Sequence, residues 1–209
     1  MTIKLKEAAK KKIHSSDDIF VIMQKILMRE NKIDRNREHF WTISLDNAKK
    51  ILNIELVSVG SINKTIVEPM EVLSVPLQKR AVNIILVHNH PSGELEPSAA
   101  DKDLTDNLIQ CGLIMHVPVL DHLIITQKNY YSFLNSGLLA ELETSTKYVP
   151  RYVLANRMKK EMEEKIKLKD KEVAKEKKAM VKVMKKKGYT IKEITEITGW
   201  SEEAIELLK

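Results

Sequence analysis

The apolar positions along the chain change period several times, and each change marks an element. Ile19, Ile22, Met23, Ile26 and Leu27 recur at helical spacing behind Ser15, Ser16 and Asp17, three N-cap candidates, which predicts an amphipathic helix over 17–30. Residues 39–45 and 51–59 are short, apolar and rich in β-branched side chains around the turn-forming Asp46-Asn47-Ala48, which predicts a hairpin. A shorter strand is expected over 64–67. Pro69 opens a helical pattern through Met70, Val72, Leu73 and Leu77, with Pro76 expected to kink or shorten it. Residues 82–88 are an apolar run, expected as a buried strand. A helix over 98–111, strands over 114–119 and 122–126, and a turn at Lys128-Asn129 into a strand over 130–133 follow. Strands interleaved with helices predict an α/β (α+β) fold, a mixed sheet with flanking helices.

After Pro150 the pattern changes again. Between 151 and 187 fifteen Lys and Arg stand against six acids, a surplus larger than the net charge of +6 carried by the whole chain of 209 residues. A weak apolar stripe among these charges, including Met158, Met162, Ile166, Val173 and Met180, predicts one or two long exposed helices. Gly188 should stop them. Two short helices are expected over 190–198 and 201–208, with Ile191, Ile194 and Ile197 on one face of the first and a Ser201-Glu202-Glu203 cap on the second. The divisions drawn are a basic segment with its amphipathic helix at 1–37, a central domain at 38–140, and a basic all-α extension at 151–209 ending in a helix-turn-helix-like hairpin.

Composition narrows the function classes. One cysteine, Cys111, excludes a disulfide framework and a Cys-rich zinc ribbon. It is expected as a small buried hydrophobe. No apolar run reaches membrane-spanning length, and the first residues carry no apolar core of a signal peptide, so the expectation is a cytoplasmic protein without membrane contact.

The chemistry concentrates between residues 88 and 101. Side chains on a strand alternate faces, so His88 and His90 leave the end of the 82–88 strand on the same side, with Asn89 on the other. Pro91 keeps His90 extended, and Pro91-Ser92-Gly93 turns the chain away. Asp101 then falls in the first turn of the next helix. Two imidazoles and a carboxylate at one strand end, with a coordination position left over, fit a catalytic rather than a structural zinc site. Ser98-x-x-Asp101 is also a helix cap in its own right; a capped turn is a stiff mount for a ligand.

His88-x-His90, then seven residues to Ser98-x-x-Asp101, resembles the JAMM motif of MPN-domain metallopeptidases. The fuller HNHPSG string at 88–93, LDHLII at 120–125 and YYSF at 130–133 are similar to the bacterial RadC-like branch, and the resemblance runs from about Glu38 to Leu139. It implies an MPN/JAB-like sheet, one Zn2+ on His88, His90 and Asp101, and hydrolysis of an amide or isopeptide bond in a peptide or protein substrate. It implies Glu38 as the general base, with Glu55, Glu68 and Glu71 as rivals that sequence does not separate. Ser98 corresponds to a serine that hydrogen-bonds the developing oxyanion, and Asp121 and His122 to a pair that orients the ligand histidines. Met70 departs from the arginine usual in relatives, so an anion-binding role there is not expected.

Two other functions compete. One is a DNA-associated repair or recombination protein in which the domain binds metal and 151–209 binds nucleic acid; against it, the last helix carries Glu202, Glu203 and Glu206, and residues 1–37 hold no Gly-rich DNA-binding hairpin. Docking of protein, or homo-oligomerisation, is the rival use of the tail. The other is metal binding without turnover.

Overall fold

The hairpin at 39–59 forms as its two apolar runs and turn predict, and lies within the sheet. The structure, a computed structural model, describes residues 2–3, 12–60 and 67–207. Its sheet has six strands: β1 (Thr2–Ile3), β2 (His39–Leu45), β3 (Ile51–Val59), β4 (Asn83–Asn89), β5 (Val119–Ile125) and β6 (Tyr130–Ser132), in spatial order β1-β3-β2-β4-β5-β6. β4 and β5 are parallel and the other pairings antiparallel, so the sheet is mixed. A parallel pair needs a crossover, supplied here by a 16-residue helix over Ala99–Ile114.

Helices cover both faces. α1 (Ser16–Leu27), capped by Ser15, buries Ile19, Met23, Ile26 and Leu27 against Trp41, Ile43, Leu45, Ile85 and Val87. α2 (Pro69–Gln78) and α3 (Ala99–Ile114) lay Val72, Leu73, Leu108 and Ile109 on the opposite face, over Phe40, Ile84, Leu86 and Ile124. The alternation along β4 feeds both cores, with Ile85 and Val87 on one side and Ile84 and Leu86 on the other. The fold class read from the sequence, an α/β sandwich on a mixed sheet, is the one observed. A short helix α4 (Leu138–Glu143) follows β6.

Several details differ from expectation. Pro76 lies inside α2, buried on its core face, and the helix ends two residues beyond it. α3 runs on to Ile114, and one strand, β5, replaces the two expected over 114–126: His116 has φ +56 and Pro118 precedes the strand, so 115–118 is a turn. Gly112 permits this turn, because a Cβ there would lie 2.7 Å from the Val117 carbonyl oxygen. The strand expected over 64–67 falls on residues outside the described ones, apart from Val67, which is in no strand.

The chain divides into two compact units, 1–149 and 150–209, and α1 packs on the sheet within the first. In the second unit α5 (Arg151–Lys186) is a single 36-residue helix, largely exposed until Val181 and Met184 pack on Ile194 and Ile205. Those come from α6 (Ile191–Thr198), capped by Thr190 and stopped by left-handed Gly199, and α7 (Glu202–Glu206), capped by Ser201. Ile197 points to solvent, in contrast to Ile194, and Leu208 lies outside the described residues. Lys177 and Lys185 reach from α5 to the last carbonyls of α6 and α7, Thr198 and Ile205, where cations suit the helix dipole. Among the described residues no helix is long and apolar enough to cross a membrane.

Candidate metal centre

β4 ends where α3 begins, at the carboxyl end of a parallel strand, which is where open α/β sheets gather ligands. His88 is buried at 2% exposure near the strand's last residue. His90 follows, its backbone N–H donated to the Ile125 carbonyl. Asp101 is brought to them by a capping box: Ser98 accepts from the Asp101 N–H, and the Asp101 carboxylate accepts from the Ser98 N–H at 2.8 Å and its hydroxyl at 2.6 Å. The cap and the ligand position are therefore the same structure.

Glu38, His88, His90 and Asp101 each offer a donor atom within 4.8 Å of all the others. None of the rivals Glu55, Glu68 and Glu71 is in the group. Glu38 is held there by a residue the sequence reading left without a role. Asn89, on the other face of β4, accepts from the His39 N–H at 2.8 Å and donates to the Arg37 carbonyl at 3.0 Å. It thus clamps the chain on both sides of Glu38, and the Glu38 carbonyl is fixed in turn by the Gly60 N–H.

The hydrogen bonds also fix where the imidazole protons sit. The Thr105 hydroxyl donates to the Asp101 carbonyl at 2.5 Å, the turn before it in α3. Its oxygen is then an acceptor for His122 Nδ1 at 2.6 Å, so His122 carries its proton on Nδ1. His122 is wholly buried between Phe133 and Phe40, and that burial pushes its imidazole well below the usual range and keeps it neutral. Its bare Nε2 accepts from His88 Nδ1 at 2.8 Å. His90 Nδ1 donates to the Glu94 carbonyl at 2.8 Å. Neutral His88 and His90 therefore both present a lone pair at Nε2, and these two atoms face each other at 2.9 Å. Two lone pairs at that separation repel unless a proton or a cation lies between them.

Asp101 supplies the counter-charge, 3.2 Å from His88 Nε2 and 3.6 Å from His90 Nε2. Burial pushes its carboxyl up, but contacts with His88 and His90 in their protonated forms, together with the hydrogen bond from the Ser98 hydroxyl, overcome that and hold it far below the ordinary carboxylate range. Donors about 2.0–2.1 Å from a tetrahedral zinc stand about 3.3 Å apart; the two Nε2 atoms are 2.9 Å apart, with Asp101 Oδ1 3.2 Å from His88 and Oδ2 3.6 Å from His90. The residues present fit a zinc ion in both chemistry and spacing.

Asp121 does not join this arrangement, which corrects its pairing with His122. It lies on the opposite face of β5, where its carboxylate accepts from the Ser16 and Ser132 hydroxyls and from the His122 and Leu134 N–H groups. It ties the start of α1 to β5 and β6 and touches none of the four clustered side chains. His39, buried and stacked on Trp41, donates from Nδ1 to the Arg37 carbonyl at 2.9 Å. Thr105 went unrecognised in the sequence, although it stands four residues after Asp101 and so on the same helical face. Asn89 gave no such signal, since its partners lie about fifty residues away. Cys111 is partly buried, its thiol pushed up by that burial.

Comparison with known proteins fits this geometry. The model of the RadC-like JAB domain matches residues 13–138. A UPF0758 protein of Flavobacterium johnsoniae is 44% identical over 128 residues, 61% of this chain and 54% of the relative. One from Pelodictyon phaeoclathratiforme is 41% identical over 129 residues (62% and 56%), and one from Methanosarcina mazei 39% over 133 residues (64% and 56%). The matches span little more than half the length of these relatives. The mixed sheet, the strand-to-helix junction that gathers two histidines and an aspartate, and a family match across most of the first unit lead to one assignment: the chain belongs to the RadC-like JAB domain family.

Proposed function

We propose that this protein is a zinc-dependent hydrolase of amide or isopeptide bonds, with the ion on His88, His90 and Asp101 and Glu38 as general base. The observation that carries the reading is the pair of Nε2 atoms 2.9 Å apart with the Asp101 carboxylate and Glu38 in the same donor cluster. A zinc ion bound there supplies a polarised carbonyl and a water whose pKa falls toward about 7. Glu38 takes the proton from the attacking water and returns it to the departing amine, so the water oxygen bonds to the carbonyl carbon as the C–N bond breaks. Asn89 keeps Glu38 in position for both transfers. Ser98 donates to Asp101 at rest and is the hydroxyl available to the developing oxyanion. His122 and Thr105 hold His88 in the tautomer that leaves Nε2 free.

The test is hydrolysis of peptide and isopeptide libraries by the zinc-loaded protein, with Glu38→Gln as the control. Turnover that Glu38→Gln lowers by 10²–10⁴-fold, on the scale of general-base catalysis, supports the reading; equal turnover by both proteins sinks it. A second reading, contact with nucleic-acid phosphates by residues 151–209, draws on the Lys and Arg that run along the length of α5. It requires an affinity that falls steeply with salt and is lost with α5–α7; a flat salt response removes it.

A further inference from the structure

The cluster of donors is not the whole of the surface that His90 helps to form. Its other side opens on a cleft of about 310 Å3 between the end of α1, the 34–36 turn and the β5–β6 turn. Arg35 and Lys128 line this cleft together with Gln127, Asn129 and His90, and no Asp or Glu is among the lining residues.

Arg35 is the unusual member. It is partly buried, yet among the described residues it has no carboxylate partner. Among the described residues its side chain's only hydrogen bond is from Nη1 to the Met28 thioether sulfur at 3.6 Å, a weak acceptor. Its Nε is buried with no hydrogen-bond partner among the described residues. The nearby carboxylate is committed elsewhere, since Asp34 accepts from Asn31 and pairs with Arg37 at 3.9 Å. A buried guanidinium N–H without an acceptor is costly. A planar anion is the ligand that removes the cost, and a carboxylate matches the guanidinium fork.

From this we infer that the cleft is a substrate subsite for a carboxylate, gripped by Arg35 with Lys128 at its rim, beside His90. The inference rests on the hydrolase reading and deepens it: the substrate is a peptide with a free carboxylate close to the bond that is cut. The carboxylate is that of a chain terminus or that of an Asp or Glu side chain. A carboxylate is favoured over a nucleic-acid phosphate because the cleft holds one guanidinium and one ammonium rather than a basic track.

The experiment is calorimetric binding to zinc-loaded protein, with acetyl-Gly-Gly, its C-terminal amide, the α-amide of acetyl-glutamate and inorganic phosphate as probes. The expected result is that at least one carboxylate probe binds about tenfold or more tightly than the uncharged amide, as a charge-assisted hydrogen bond provides. Arg35→Met should abolish that preference and Arg35→Lys restore part of it, with zinc content unchanged in both. Acetyl-Gly-Gly or the glutamate probe as the winner assigns the carboxylate to a terminus or a side chain. Equal binding of acids and amide, binding of neither, a preference that survives Arg35→Met, or tighter binding of phosphate than of either carboxylate overturns the inference. The two readings fail separately: carboxylate preference without hydrolysis defeats the hydrolase alone, and hydrolysis of free and amidated peptides alike defeats the subsite alone.

Discussion

Thr105→Val tests the proton order around His88 by exchanging one hydroxyl for a methyl, with almost no change of shape. Thr105 is fully buried, and its hydroxyl accepts from His122 Nδ1 while donating to the Asp101 carbonyl. Valine leaves His122 two choices. If the proton stays on Nδ1, a buried donor has lost its acceptor, at a cost of about 1–3 kcal/mol in folding stability. If it moves to Nε2, it confronts His88 Nδ1 at 2.8 Å, and His88 must carry its own proton on Nε2, where a cation would bind. The same energy then appears as weaker zinc binding, about five- to 150-fold, since about 1.4 kcal/mol is a factor of ten, in line with the 10–100-fold typical when a ligand's supporting hydrogen bond is removed. Zinc affinity by competition with a chromophoric chelator, together with the melting transition of the metal-free protein, measures where the cost falls. Long-range 1H–15N spectra of the imidazoles read the tautomers directly, and Thr105→Ser should restore both quantities. A Thr105→Val protein with unchanged stability and unchanged zinc affinity, or a wild-type His122 protonated on Nε2, would refute the reasoning.

Other outcomes follow from the same coordinates. Asp121→Ala strands two hydroxyl and two amide donors, so it should cost about 3 kcal/mol or more in denaturant unfolding while zinc stoichiometry stays at wild-type; loss of zinc with full stability would place Asp121 at the metal after all. Asn89→Ala should leave zinc bound and lower turnover nearly as far as Glu38→Gln, because it frees the segment that carries Glu38; activity at the wild-type level would show that the clamp is idle. Burial pushes the His90 imidazole down, but its hydrogen bonds to Asp101 and to the Glu94 carbonyl raise it on balance. In the metal-free protein that interaction stabilises the fold below pH about 6.5 and is lost as pH rises through the raised value, whereas zinc must displace the proton, so zinc affinity should fall as pH falls through the same window. A zinc affinity independent of pH there contradicts the ligand role. Gly112→Ala brings a Cβ to 2.7 Å from the Val117 carbonyl and should lower stability by about 1–3 kcal/mol, read from the melting transition; an unaffected melt would mean that the turn yields freely.

The elements that set the fold were legible because they are cleanly bounded: both hairpin strands begin and end where the apolar runs flanking Asp46-Asn47-Ala48 do, and α1 follows its 3.6-residue stripe. Elements went astray where local chemistry outweighed hydrophobic pattern. The apolar 113–115 continues α3 instead of opening a strand, since Gly112 lets the helix approach the Val117 carbonyl and a left-handed His116 turns the chain. At the metal centre the histidines and aspartate could be read from one short stretch, because a strand end, a proline turn and a helix cap set their positions locally. Glu38, Asn89 and Asp121 depend on which strands pair and which face each residue takes. Asp121 precedes His122 in sequence and for that reason points to the other side of β5. Arg35 has no motif at all; its interest lies in the partner that its surroundings lack.

The central claim is that three side chains bind one cation and the fourth does not. Anomalous scattering at the zinc absorption edge from crystals of the zinc-loaded protein measures it. The account predicts a single peak bonded to His88 Nε2, His90 Nε2 and an Asp101 oxygen at about 2.0–2.2 Å, with Glu38 nearby but unbonded. A peak held elsewhere, or one that Glu38 closes as a fourth protein ligand, would contradict it.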